Sequence, residues 1–195
     1  MNTILVAYQT HSGTTREVAE AVAEEMTKKG FTVDVSSLNE IHTISNYDAV
    51  VLGAPMIMGW HRSAQKFLTR HKSELAQKPL AVFVTAMSLT HAGMLDQDKI
   101  HIHVDEQLAA APVNPGRLNL KEHFTSIKQY TRPIISKAPS SLKSIALFGG
   151  RLDFYRLKWW EALFVMILIG AQPGEKRNWP DIRSWAAGLP DLLQN

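Results

Sequence analysis

Four stretches of this chain are apolar almost without interruption: Thr3-Ile4-Leu5-Val6-Ala7, Ala49-Val50-Val51-Leu52, Leu80-Ala81-Val82-Phe83-Val84 and Ile145-Ala146-Leu147-Phe148. A short continuous run of this kind predicts a strand buried on both faces, as in a parallel sheet covered by helices. A fifth stretch behaves differently. Phe31, Val33 and Val35 alternate with Thr32, Asp34 and Ser36, which suits a half-exposed edge strand. Between strands the period becomes helical. Val18, Val22 and Met26 recur at i, i+4 and i+8, and Glu24 with Lys28 and Glu25 with Lys29 form exposed i,i+4 pairs before Gly30 stops the run. A helix after the third strand carries Ala64, Phe67 and Leu68. Strands alternating with helices predict an α/β fold, a doubly wound five-stranded parallel sheet. An edge second strand beside buried first and third strands fits the order 2-1-3-4-5.

The second half is less regular. A long insertion follows strand four, from Thr90 to about Leu120, and contains Ala111-Pro112-Val113-Asn114-Pro115-Gly116. A helix is expected next, around Glu122 to Lys137, with Pro133 kinking or shortening it. From Trp159 to Ile169 the chain is apolar nearly all round apart from Glu161, too short for the roughly 20 residues that a membrane span requires. Such a helix must be covered by the sheet, a partner subunit of a homodimer, or a membrane surface. Arg151, Arg156 and Lys158 before it and Lys176 and Arg177 after it have the character of interfacial anchors, so residues 151–171 are a candidate peripheral membrane contact. A final helix, capped near Asn178-Trp179-Pro180-Asp181, carries Ile182, Trp185 and Leu189. No shift in composition divides the 195 residues, and 1–195 reads as a single domain.

The stretch from Tyr8 to Glu20 joins the carboxyl end of strand one to the amino end of a helix through Thr10, His11, Ser12, Gly13, Thr14 and Thr15. Unpaired amides and the positive end of the helix dipole favour an anion there, and four hydroxyls around one glycine add side-chain donors. The expected ligand group is phosphate; the plainer role of such hydroxyls is to cap the helix. A dinucleotide site would need Gly-x-Gly-x-x-Gly and an acid closing strand two, where Val35-Ser36-Ser37 stands. A Walker loop would need Gly-Lys-Ser/Thr, a cysteine phosphatase would need a cysteine, and a phospho-receiver would need acids after strands one and three. None is present, and a mononucleotide survives.

Ligands in such sheets lie beyond the carboxyl ends of the strands at the switch point, where the loops after strands one, three and four converge. The loop after strand three, Ala54, Pro55, Met56, Ile57, Met58, Gly59 and Trp60, presents apolar and aromatic side chains suited to a flat aromatic ligand, with Trp60 the natural stacking residue. The alternative is that Trp60 and the methionines pack as core. Thr85, Ala86, Met87, Ser88 and Leu89 form the third loop. His101-x-His103 near Asp96, Asp98 and Asp105 matches no closed zinc pattern, so these read as polar surface residues and no metal is expected.

Charge changes the picture little. The formal net charge of +3 forms no Lys/Arg block of the kind nucleic-acid binders show, and it disfavours a small acidic electron shuttle. The chain has no cysteine and opens directly into a strand, which points to the cytoplasm, or its membrane face if 151–171 docks there.

Thr10-His11-Ser12-Gly13-Thr14-Thr15 resembles the T-x-[ST]-G-x-T phosphate loop of the flavodoxin family, whose ligand is FMN and whose strand order is the one expected above. Gly59-Trp60-His61 leading to Ala64, the stretch from Phe148 to Asp153, and Leu168-Ile169-Gly170-Ala171 leading to Trp179 are similar to the flavodoxin-domain group containing the menaquinone-dependent protoporphyrinogen oxidases. The segment from Thr90 to Leu120 falls outside that similarity. The resemblance implies FMN, a small-molecule substrate and a quinone, in an oxidoreductase of heme biosynthesis. A flavodoxin-type electron carrier and an NAD(P)H:quinone oxidoreductase are the alternatives, and Arg62, Arg151 and Arg156 are the cations available for substrate carboxylates.

Overall fold

The computed structural model describes residues 2–56, 59–93, 100–114, 116–152 and 174–194. The readings placed on Ile57, Met58, Asp96, Asp98, Arg156, Lys158 and the helix from Trp159 to Ile169 lie outside them.

The apolar runs form β1 (Thr3–Tyr8), β3 (Ala49–Pro55), β4 (Leu80–Ala86) and β8 (Leu142–Gly149), with β2 (Thr32–Ser37) as the half-exposed edge. The sheet runs β2-β1-β3-β4-β8-β6 with every pairing parallel. It is thus six-stranded, where five were expected. The extra strand, β6 (His101–Val104), comes from the insertion, and β5 (Leu89–Thr90) pairs with β7 (Ala109–Ala110) beside it. Too short and polar to stand out from a loop by pattern, β6 forms because β8 offers it a free edge.

Helices cover both faces. On one, α1 (Thr14–Lys28) buries Val18, Val22 and Met26 beside Ile182, Trp185 and Leu189 of α6 (Trp179–Gln194). Trp185 stands edge-on to Phe148 and donates its Nε1–H to Ser144 Oγ at 3.1 Å. On the other, α2 (Arg62–Arg70) contributes Ala64, Phe67 and Leu68, and α3 (Lys72–Leu75) adds Leu75.

The helix expected from Glu122 to Lys137 is two helices, α4 (Leu120–Thr125) and α5 (Ile127–Ile135). Ser126 breaks it, extended at ψ 149°, with its Oγ accepting from Gln129 N–H at 3.2 Å. Pro133 lies inside α5 and ends nothing. Glu25 also departs from its expected pairing: it bonds Lys28 and Arg183 at 3.0 and 2.5 Å, not Lys29.

Two residues read as polar surface are structural. His103 packs on Phe148 and meets Asp181 Oδ2 at 3.0 Å. Asp105 is fully buried, one oxygen accepting from Gln107 N–H and Asn178 Nδ2. Among the described residues no helix is long and apolar enough to cross a membrane.

Candidate functional site

Parallel pairing puts the ends of β1, β3 and β4 on one edge, Tyr8 beside Gly53 and Pro55 beside Thr85. The loops that follow therefore emerge side by side at the switch point. Backbone bonds hold them there: Gln9 N–H to Gly53 O at 2.9 Å and Met56 N–H to Thr85 O at 3.0 Å.

In the first loop Gly13 sits at φ 92°, which lets the chain turn abruptly into α1. Thr10 Oγ1 accepts from Gly13 N–H at 2.9 Å, so its own hydroxyl proton remains available to donate. The first intrahelical bond runs from Glu17 N–H to Gly13 O. The amides of Thr14, Thr15 and Arg16 precede it and have no carbonyl within the helix, the arrangement that favours an anion. Two of the four hydroxyls have other duties. Thr15 Oγ1 is buried against Thr85 Oγ1 at 2.9 Å and ties the loop to β4, while Thr14 Oγ1 donates to Arg151 O at 3.2 Å and lies near Ser12 Oγ. Ser12 Oγ shares a 3.3 Å contact with Thr14 Oγ1, and Thr10 Oγ1 keeps its own proton.

Behind the loop stands an ion network that sequence reading missed. Arg177, expected as a membrane anchor, is a buried brace: its NH1 meets Glu17 Oε2 at 2.5 Å, its Nε and NH2 hold both oxygens of Glu175, and its guanidinium lies 4.5 Å from the Trp179 ring centroid. These bonds hold Glu175 below the usual carboxylate range and raise Arg177. Arg151 NH2 stands 3.6 Å from Glu17. Arg177, shared with Glu175, and Arg151 thus both stand against Glu17, the one acid in the first turn of α1. An acid two residues beyond the Thr10 to Thr15 loop was a visible signal; its partner, 160 residues away, was not.

The third-strand loop begins later than expected. Ala54 and Pro55 complete β3, fully in the sheet, and the loop proper starts at Met56. Met56 bridges to Trp60. Trp60 is only 2% exposed and belongs to the core; among the described residues its buried indole N–H has no hydrogen-bond partner. His61 caps α2, its Nδ1 accepting from Ser63 N–H at 3.2 Å. Burial chiefly, and the charge of His11 secondarily, lowers the His61 pKa, which favours the neutral ring and places the two loops within electrostatic reach.

In the fourth-strand loop Thr85 and Ala86 belong to β4, Leu89 begins β5 and is buried, and only Met87 and Ser88 link them. Ser88 O accepts from the Tyr130 hydroxyl at 2.9 Å, and burial raises that phenol's pKa. Gln9 Oε1, like Trp60 Nε1, is a buried polar atom without a partner. An unmet acceptor on the first loop and an unmet donor on the third flank the same edge, as suits a ligand with both kinds of polar group.

A family model described as Flavodoxin domain matches residues 5–177. The chain belongs to the flavodoxin domain family. This flavodoxin domain is 23% identical to a curated Escherichia coli K12 protein named protoporphyrinogen IX dehydrogenase [quinone], over 96% of this chain and 94% of the relative. A Leishmania major protein of the same name is 24% identical over 94% of this chain and 70% of its own length. Among solved structures, oxidised flavodoxin 2 from Bacillus cereus superposes with a TM-score of 0.51 at 13% identity, covering 97% of this chain and 98% of that one, and shows the shared fold.

Proposed function

We propose that this flavodoxin domain binds FMN and passes electrons from a reduced substrate to a quinone, with a porphyrinogen as the substrate. The observation carrying this reading is that the Escherichia coli relative named protoporphyrinogen IX dehydrogenase [quinone] matches almost end to end, over 94% of its length. The site fits a flavin mononucleotide: free amides at the start of α1, the hydroxyls of Thr10 and Ser12, and two orphaned polar atoms flank one edge. The chemistry FMN supplies when bound is acceptance of a hydride from the substrate and its return to the quinone, with the second proton of each pair exchanged through water.

The chain's own residues bind and orient. Residues 10–16 hold the phosphate, with Arg177 and Arg151 neutralising Glu17 behind them. The turns from Met56 to Trp60 and from Thr85 to Leu89 enclose the ring, and Trp60 stacks on it once its turn opens. Arg62 begins α2 directly after the ring loop, exposed, and is the cation placed for a substrate carboxylate. A cytoplasmic site at the inner face of the membrane, where a lipid-soluble quinone is accessible, completes the proposal.

The test begins with the absorption spectrum of purified protein and identification of the released flavin; a spectrum without flavin after FMN is supplied rejects the reading. Steady-state quinone reduction is then followed with protoporphyrinogen or NAD(P)H as donor. Turnover with protoporphyrinogen alone is expected. Turnover only with NAD(P)H replaces the substrate, and activity with neither leaves a flavodoxin-type carrier. For Trp60→Phe, weaker FMN binding is expected together with a modest loss of stability in the flavin-free protein, because a smaller ring underfills a site that is 2% exposed. Equal affinity would leave Trp60 to the core.

A further inference from the structure

The two helical layers carry charge differently. Every cation of α1 and α6 has an acidic partner: Arg16 meets Glu20 at 2.8 Å, Lys28 meets Glu24 and Glu25 at 3.0 Å, and Arg183 meets the same two acids at 2.8 and 2.5 Å. On the opposite face α2 holds three cations, Arg62, Lys66 and Arg70, and no acid. All three are exposed, and none has an acidic partner among the described residues. Like charges at i,i+4 destabilise a helix, and Arg62 in the first turn stands against the positive end of the helix dipole. Folding gains nothing from this arrangement, which points to a ligand.

The three cations line a groove of about 530 Å³ together with Gln65 and Thr69 of the same helix and Lys137, just beyond α5. Four cations and no acid thus face one space. The two neutral residues are held in place. Thr69 Oγ1 donates to Gln65 O at 3.0 Å, and Gln65 Nε2 donates to Trp60 O at 2.6 Å, which ties the groove to the third-strand loop. At a rise of about 1.5 Å per residue, Arg62 and Arg70 start about 12 Å apart along the helix. A single phosphate or carboxylate is too small to meet all four.

We propose that this groove binds a small polyanion, a ligand with three or more negative charges carried by phosphates or carboxylates along roughly 10 Å. The volume lies within the range of small-molecule sites, about 300–1,000 Å³. A nucleic acid is disfavoured, because no aromatic side chain lines the groove to stack a base. A bilayer is disfavoured as well, since neither α2 nor α5 has a large exposed apolar side chain to enter it. The inference does not rest on the redox reading.

Isothermal titration calorimetry with sodium tripolyphosphate, citrate and sulfate at equal ionic strength tests it, with FMN in excess to occupy the phosphate loop. One molecule of tripolyphosphate or citrate should bind per chain, about tenfold or more tightly than sulfate, and the tighter of the two shows whether the groove suits phosphates or carboxylates. Lys66→Glu with Arg70→Glu should weaken that binding about tenfold or more, and Lys66→Gln with Arg70→Gln should weaken it less. Arg117→Glu with Lys121→Glu, an equal change of net charge elsewhere on the surface, should leave it as it was. The urea midpoint of Lys66→Glu with Arg70→Glu should not fall, because both side chains are exposed and the repulsion along α2 is gone. No binding of either polyanion, sulfate bound as tightly, or equal weakening by the two charge reversals overturns the proposal. Binding of a synthetic oligoglutamate with neither small anion bound also overturns it, and assigns the face to an acidic protein.

Discussion

Gly149 closes β8 where the chain at Lys176 and Arg177 crosses it, and replacing it with alanine loads that crossing directly. A Cβ there would lie 1.8 Å from Lys176 O, 1.2 Å inside the 3.0 Å that real Cβ atoms essentially never breach. The obstacle is backbone, which has no rotamer to give. Relief requires moving residues 176–177, which strains the 2.9 Å bond from Lys176 N–H to Gly150 O and the hold of Arg177 on Glu17 beneath the phosphate loop. Overpacking of this kind costs about 1–3 kcal/mol, and losing the hydrogen bond adds about 1 kcal/mol. A total of about 3 kcal/mol is a large share of the roughly 5–15 kcal/mol that holds a domain together. Gly188 is the control. It lies within α6, a Cβ there meets nothing within 4 Å, and alanine should stabilise by about 0.5–1 kcal/mol by restricting the unfolded chain and favouring helix. In urea, with a slope of about 2 kcal/mol per molar, Gly149→Ala should lower the unfolding midpoint by about 1.5 M and Gly188→Ala should raise it by about 0.3–0.5 M. An unchanged midpoint for Gly149→Ala would refute the close approach, and a lowered one for Gly188→Ala would refute the open helical setting.

Ser12→Asp places a negative charge among the amides that await a phosphate and should weaken FMN binding by about tenfold or more, measured by fluorescence titration; unchanged affinity would move the phosphate elsewhere. Thr15→Val leaves the buried Thr85 hydroxyl without its 2.9 Å partner and should cost about 1–2 kcal/mol in urea, and a neutral result would mean that the pair contributes nothing. Asp48 accepts from the amides of Asn2 and Thr3, which lower its pKa from 3.8 to about 2. Its stabilising effect is therefore present above about pH 4 and lost as pH falls toward 2, and acid titration of Asp48→Asn should lack that loss. If both proteins respond identically between those values, the amide bonds are not what holds the carboxylate ionised.

The central sheet was legible because β1, β3, β4 and β8 are buried on both faces and can be satisfied only by continuous apolar runs. The turn from β1 into α1 was legible for a related reason: small residues around Gly13 are a local solution to the local problem of turning a strand abruptly into a helix. What escaped depended on distant partners. Arg177 looks like any terminal cation until Glu17 and Glu175 close around it. The break at Ser126 was masked by Pro133, a stronger local signal that α5 tolerates near its end. Trp60 illustrates a third limit, since the same residue in the same loop serves core or ligand, and only burial distinguishes them.

The insertion's place in the fold decides what removing it would do. Pattern alone makes it an appendage to a five-stranded sheet. In the sheet it is the sixth strand, and β8, buried along nearly its whole length, has no other partner on that side. Without β6 the apolar face of Ile145 and Leu147 and a row of unpaired backbone groups would form an open edge, the kind that recruits another chain. β6 closes it and ends the sheet with His101, exposed and polar. Side-chain bonds then stitch the insertion to α6, from His103 to Asp181 at 3.0 Å and from Asn178 to the buried Asp105 at 3.3 Å. Replacing residues 91–119 with a short glycine–serine linker should therefore remove cooperative unfolding or produce aggregation, read by urea titration and size-exclusion chromatography. The ends are close enough for the trial, since Thr90 already bridges to Ser126. A monomeric product with an unchanged midpoint would show that β8 tolerates an open edge, and would return the insertion to the status of an appendage.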